Sequence, residues 1–140
     1  AFGWDAGPRK ARQKRQGEWW IGTGMASGAR IHSTKESKAR VTLSADGTAR
    51  IETDMTDIGT GTYTILAQMV AEMLGLDPAS VLVDIGDTRH PRGPGSGGSW
   101  GASSIGSAAF LACRAIREDL VARVPIAEDA LDLRDGKVGG

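Results

Sequence analysis

Cysteine occurs once in this 140-residue sequence, at Cys113, and histidine only at His32 and His90. One thiol excludes an intramolecular disulfide, a zinc ribbon and an iron–sulfur cluster ligated by this chain alone. The two histidines lie far apart, with no carboxylate or cysteine at ligand spacing, so no side-chain metal site is predicted. Cys113 falls inside a helical pattern, where a small, half-buried helix residue is expected rather than a nucleophile. No apolar run approaches the roughly 18 residues of a membrane span, and the N-terminus lacks the form of a signal peptide. An excess of one charge is also missing: 17 Lys and Arg balance 17 Asp and Glu. That balance argues against a dedicated nucleic-acid binder.

The charge that is present is unevenly placed. Residues 1–50 carry ten Lys and Arg against four Asp and Glu, and the remainder seven against thirteen. The basic excess centres on Arg9, Lys10, Arg12, Lys14 and Arg15. No aromatic platform or helix-turn-helix pattern accompanies it, so residues 1–17 are expected to be a basic Gly/Pro linker ahead of a domain over residues 18–140. The sequence opens on Ala1 rather than Met and stops in Asp135-Gly136-Lys137-Val138-Gly139-Gly140, a strand, turn and strand in progress, which predicts a piece of a longer polypeptide.

Within 18–140, Trp19 to Ala26 reads as a strand broken by glycines. Ala39–Leu43 and Thr48–Asp54 flank Asp46-Gly47, whose residues suit a tight hairpin turn. Val41 and Leu43 share one face, as do Ala49, Ile51 and Thr53. Ile65, Leu66, Met69, Val70, Met73 and Leu74 predict an amphipathic helix over Thr62–Leu74, capped at its start by Thr60 or Thr62 and closed by Gly75 in a left-handed conformation. Val81–Ile85 predicts a β-branched strand. Ile105, Ala108, Ala109, Ala112, Ile116 and Leu120 mark a second helix ending before Pro125, and Ala130–Arg134 begins a further strand. The order predicts an α+β fold: a β-hairpin followed by helix, strand and helix, a split α/β layer.

Two glycine-rich turns each open a helix: Gly59-Thr60-Gly61-Thr62, and Gly93-Pro94-Gly95-Ser96-Gly97-Gly98-Ser99-Trp100-Gly101. Helix N-termini carry unpaired N–H groups and partial positive charge, and glycine permits close approach, so such turns suit a phosphate-bearing ligand. Residues 93–98 satisfy G-x-G-x-x-G formally, but they do not follow a strand immediately, which disfavours a dinucleotide-binding Rossmann turn. No Lys-Ser/Thr follows the glycines, which disfavours a P-loop. Asp54, Asp57, Asp84 and Asp87 lie near strand ends, where turn and cap roles are the usual fate of aspartate. Glu72 is expected to be solvated.

The stretch Thr56-Asp57-Ile58-Gly59-Thr60-Gly61-Thr62-Tyr63-Thr64, followed by Pro94 to Ser104 and Gly106 to Cys113, resembles the molybdenum-binding subunit of the xanthine dehydrogenase and aldehyde oxidase family, with the likeness greatest to bacterial aldehyde oxidases. It covers roughly residues 18–122 and implies an internal fragment of that subunit, with residues 18–140 a partial molybdopterin cofactor-binding domain. The resemblance implies molybdopterin cytosine dinucleotide with molybdenum, held chiefly by backbone amides. Gly59, Thr60 and Gly61 correspond to the loop beside the pterin, where a glutamine is common in place of Thr60; Gly97, Gly98 and Ser99 correspond to a second cofactor loop, with Ser103 a further contact. The implied chemistry is water-derived hydroxylation of an aldehyde or N-heterocycle, with electrons leaving through iron–sulfur and FAD partner subunits. The family's general-base glutamate sits in a G-x-G-E motif, and a separate cofactor-contacting region carries A-F-R-G. Neither motif occurs here, so no catalytic residue is assigned and the fragment alone is expected to be inactive. The remainder of the molybdenum subunit is then a partner, and a cytoplasmic location is expected, with periplasmic export alongside a partner as the alternative. The rival reading is a non-catalytic α+β binding or structural domain whose glycine turns make protein contacts.

Overall fold

The computed structural model describes residues 10–124, 132–134 and 137–139. Arg9, Pro125, Ala130, Asp135 and Gly136, which figure in the sequence expectations, lie outside those residues. The chain divides after Ile31 into two compact units, Ala1–Ile31 and His32–Gly140.

The first unit holds an antiparallel hairpin of β1 (Lys14–Gln16) and β2 (Trp19–Ile21). Part of the segment expected as linker is therefore paired strand. Gly17, at φ 59°, takes the turn, and the Arg15 guanidinium stacks 5.5 Å from the Trp20 ring centroid. The strand expected over Trp19 to Ala26 stops at Ile21.

The second unit is built on a three-stranded sheet in the order β3 (Arg40–Leu43), β4 (Ala49–Thr53), β5 (Val81–Ile85). β3 and β4 are antiparallel, joined through Ser44–Gly47, whose Gly47 N–H donates to the Ser44 carbonyl at 3.1 Å. Gly47 is left-handed at φ 81° and the Asp46 carboxylate accepts from the Thr48 N–H at 3.0 Å, so the Asp-Gly pair makes the turn with one positive φ angle. β4 and β5 are parallel, with Ala49 opposite Val81 and Thr53 opposite Ile85. A parallel pair needs a crossover, supplied by α1 (Thr62–Leu74) and a short 3₁₀ turn, Pro78–Ser80. Helix α2 (Gly101–Arg123) follows, and then β6 (Asp132–Arg134) pairs antiparallel with β7 (Lys137–Gly139).

Strand alternation puts Ala49, Ile51 and Thr53 on the face toward the helices, where all are buried with Leu66, Val70, Ala71 and Leu74 of α1 and Ile105, Ala109 and Cys113 of α2. The predicted helical stripe is thus rotated slightly: Ile65, Met69 and Met73 are half-buried, and Ala71 takes a central position. The small residues opening α2 have packing reasons. A Cβ on Gly106 would lie 3.0 Å from Met69 Sδ, and one on Gly101 would lie 2.8 Å from Met55 Cε. Helix α1 ends as predicted, with Gly75 left-handed (φ 64°, ψ 41°) and the Leu76 N–H donating to the Ala71 carbonyl at 2.9 Å.

Candidate functional site

Because β4 and β5 run parallel, the segments leaving them emerge at one end of the sheet, the usual place for ligands in such layers. The first glycine turn leaves β4 and the second leaves β5, so both predicted loops are brought to this end. They are fastened together. Thr56 Oγ1 and Ser96 Oγ are 3.1 Å apart, and Ser96 Oγ also donates to the Thr56 carbonyl at 3.1 Å. The Asp54 N–H donates to the Pro91 carbonyl at 2.9 Å, and the Asp54 carboxylate accepts from the Gly93 N–H. Neither Thr56 nor Ser96 was among the residues expected to make the site, because a hydroxyl pair 40 residues apart has no local signature.

The two helix starts differ in how their amides are satisfied. At α1 the N-cap is Gly61, left-handed at φ 81°, with no side-chain cap bond, so the capping expected of Thr60 or Thr62 is corrected. Asp57 does that work from four residues upstream: Oδ1 accepts from the N–H groups of Gly59 and Thr60 at 2.8 and 2.9 Å, and Oδ2 from Thr62 at 3.1 Å. Desolvation raises the Asp57 pKa, but the backbone donors of Gly59, Thr60, Tyr63 and Thr62 outweigh it and hold the carboxyl below its ordinary value. The anion at this helix start is therefore internal. The spacing Asp57-Ile58-Gly59, an aspartate two residues before a turn glycine, is the signal that could have revealed it.

At α2 the N-cap is Trp100, with no side-chain cap bond and no acidic residue in the first turn. Ser103 Oγ and Ser104 Oγ donate instead to the Trp100 carbonyl, at 3.1 and 2.6 Å. The Trp100 ring tucks under its own loop, its Nε1–H donating to the Pro94 carbonyl at 3.1 Å. A Cβ on Gly97 would stand 2.7 Å from Trp100 Cζ2, and one on Gly98 would overlap Cε3 and Cζ3. These glycines admit an indole, whereas the Cβ positions of Gly59 and Gly61 face open space. Gly59, Thr60, Gly61, Gly97, Gly98 and Ser99 are exposed, and Ser103 is half-buried.

A charged cluster covers the sheet face away from the helices. Glu52 and Asp84 are register partners, and His90 returns between them with Nδ1 3.6 Å from Glu52 Oε1 and Nε2 3.2 Å from Asp84 Oδ1. Sequence spacing had placed no carboxylate near His90; register and a returning loop supply two. Ligand-type atoms of the three side chains lie within 4.8 Å of one another, but Arg50 is bonded to Asp84, and Arg50 and Arg40 face Glu52 at 3.6 and 3.5 Å. Two guanidinium groups already balance the two carboxylates in one ion-pair network. Arg50 and then His90 hold the Asp84 carboxyl below its ordinary value. Asp87 accepts from the Arg89 N–H at 2.9 Å and is held well below its ordinary value, chiefly by the Arg89 side chain.

Cys113 is buried at 1% exposure, and burial pushes its thiol up to about 11. The native protein is expected to resist iodoacetamide at pH 8, with labelling appearing only in denaturant. Rapid native labelling would contradict this buried placement.

The chain has relatives among known proteins. The molybdopterin cofactor-binding domain profile matches residues 1–139. The chain is 45% identical over 137 residues to the aldehyde oxidoreductase molybdenum-binding subunit PaoC of Escherichia coli K12, a match spanning 98% of this chain and 19% of PaoC. It is 33% identical over 111 residues to the probable hypoxanthine oxidase XdhD of the same organism, covering 76% of this chain and 12% of XdhD. Quinoline 2-oxidoreductase from Pseudomonas putida 86 superposes with a TM-score of 0.61 at 28% identity, covering 76% of this chain and 14% of that one. With its α+β layer, its paired glycine loops and a profile match over nearly every residue, the chain belongs to the molybdopterin cofactor-binding domain family of the molybdenum hydroxylase large subunits.

Proposed function

We propose that this chain forms part of the cofactor cradle of a molybdenum hydroxylase that oxidises aldehydes or N-heterocycles. The observation that carries the proposal is the pair of glycine loops fastened at one end of a parallel strand pair, beside an α2 N-terminus with neither cap nor acid. The donor set fits an anionic, pterin-bearing cofactor unequally. The α1 amides are occupied by Asp57, so Gly59, Thr60 and Gly61 offer an uncluttered surface rather than a phosphate nest. Gly97, Gly98 and Ser99 lead into the uncapped α2 start, with Ser103 in its first turn, where a negative group is favoured. The cofactor, read as molybdopterin cytosine dinucleotide, supplies the oxygen-transfer and electron-accepting chemistry when bound; these residues bind and orient it. The remainder of the molybdenum subunit and iron–sulfur and FAD subunits are the proposed partners. Among the described residues no helix is long and apolar enough to cross a membrane, and a cytoplasmic location is proposed.

The test is expression of the intact subunit carrying this segment, with its partners, followed by molybdenum analysis and aldehyde-dependent dye reduction. Stoichiometric molybdenum with dye reduction is expected. An intact complex without molybdenum would overturn the proposal in favour of a structural domain.

A further inference from the structure

Most arginines of the second unit have carboxylate partners: Arg40, Arg50, Arg89, Arg114, Arg123 and Arg134 each lie within ion-pair reach of an Asp or Glu. Lys35, Lys38 and Arg92 do not, among the described residues, and these three line one recess of about 380 Å³ with Glu36, Pro94 and Trp100. Three cationic residues and one carboxylate thus line the recess. Their backbones are fixed although their side chains are exposed: the Lys38 N–H donates to the Arg92 carbonyl at 2.8 Å, and the Lys35 N–H to the buried Ser104 Oγ at 3.0 Å. Lys35 Nζ stands 5.0 Å from the centroid of Trp100, the residue beneath the second glycine loop. A recess lined by more cations than carboxylates favours a multiply charged anion.

We propose that Lys35, Lys38 and Arg92 form a binding site for a phosphate-class oxyanion at the flank of the second glycine loop. Three donors of positive charge around a small recess suit a dianion or pyrophosphate better than a single carboxylate, and the planar Arg92 fork suits two phosphate oxygens at once. Placing the cofactor's own phosphate there rests on the proposed function above; affinity of the recess for a phosphate-class anion does not.

The experiment is calorimetric titration of inorganic pyrophosphate into the intact subunit, in cofactor-free and cofactor-loaded forms. The cofactor-free wild type is expected to bind, about tenfold more weakly for each cation removed in Lys38→Gln and Arg92→Gln. Lys38→Arg is expected to retain binding. Thermal unfolding of each variant separates lost affinity from lost fold, and Lys35→Met, which keeps an aliphatic stem on Trp100, gives a second route should a glutamine variant fail to fold. Pyrophosphate excluded from the loaded form but bound by the empty form identifies the cofactor phosphate as occupant; equal binding by both identifies a free anion. Absence of binding by the cofactor-free wild type, or variants that bind as tightly as it does, overturns the proposal.

Discussion

Replacing Asp57 by alanine is expected to empty the proposed cofactor site of the intact subunit even though Asp57 is not expected to touch the cofactor. One carboxylate gathers the N–H groups of Gly59, Thr60 and Thr62, and so fixes both the first glycine turn and the entry of the chain into α1. Without it, three amides at a helix start with no side-chain cap of its own lose their common acceptor. Molybdenum content is expected to fall to a small fraction of wild type while the far-ultraviolet circular dichroism stays close to native, because the core residues Leu66, Val70 and Leu74 lie further along the helix. Asp57→Asn keeps one acceptor oxygen and should fall between the two. The pH dependence follows from the depressed pKa. The folded-state value lies below the ordinary 3.8, so the carboxylate's contribution is complete above 3.8 and is lost as pH falls through the folded value. An acid-induced loosening of the loop below about pH 4 should therefore be present in wild type and missing in Asp57→Asn. Full molybdenum occupancy in Asp57→Ala would show that the loop holds its shape by other means.

What was legible in the sequence was whatever a period or a turn could encode. The α1 bounds, Gly75 at its end, β5 and the Asp46-Gly47 hairpin follow from apolar spacing and from residues that tolerate a left-handed backbone. Relations made by the fold were not legible. His90 meets Glu52 and Asp84 only because a parallel register sets those strands side by side and the loop after β5 folds back over them. The glycine turns could be seen to suit an anion, but not that Asp57 already supplies one to the first. Nor could the reason for Gly97 and Gly98 be read, since an indole three or two residues later in the chain carries no sign that it will turn back beneath them.

That reason makes Gly98→Val the other substitution of large expected effect, and it separates two explanations for one glycine. A ligand-contact role and an indole-packing role both forbid valine, so the single variant loses molybdenum either way. Gly98 sits at φ 39° and its Cβ would overlap the Trp100 ring, so strain and overpacking together should cost about 2–5 kcal/mol. In a Trp100→Ala background the overlap is gone, and valine should cost only about 1–2 kcal/mol for its backbone conformation. The resulting coupling of about 1 kcal/mol or more between positions 98 and 100 is measurable by denaturant unfolding of the four proteins in the cycle. Equal costs of Gly98→Val in both backgrounds would refute the packing account. Molybdenum analysis then isolates the second role. If Trp100→Ala retains cofactor, and the double variant recovers stability yet stays empty, the Gly98 backbone must also lie against the ligand. If the double variant fills, glycine is required there for the indole, and its backbone is not needed against the ligand.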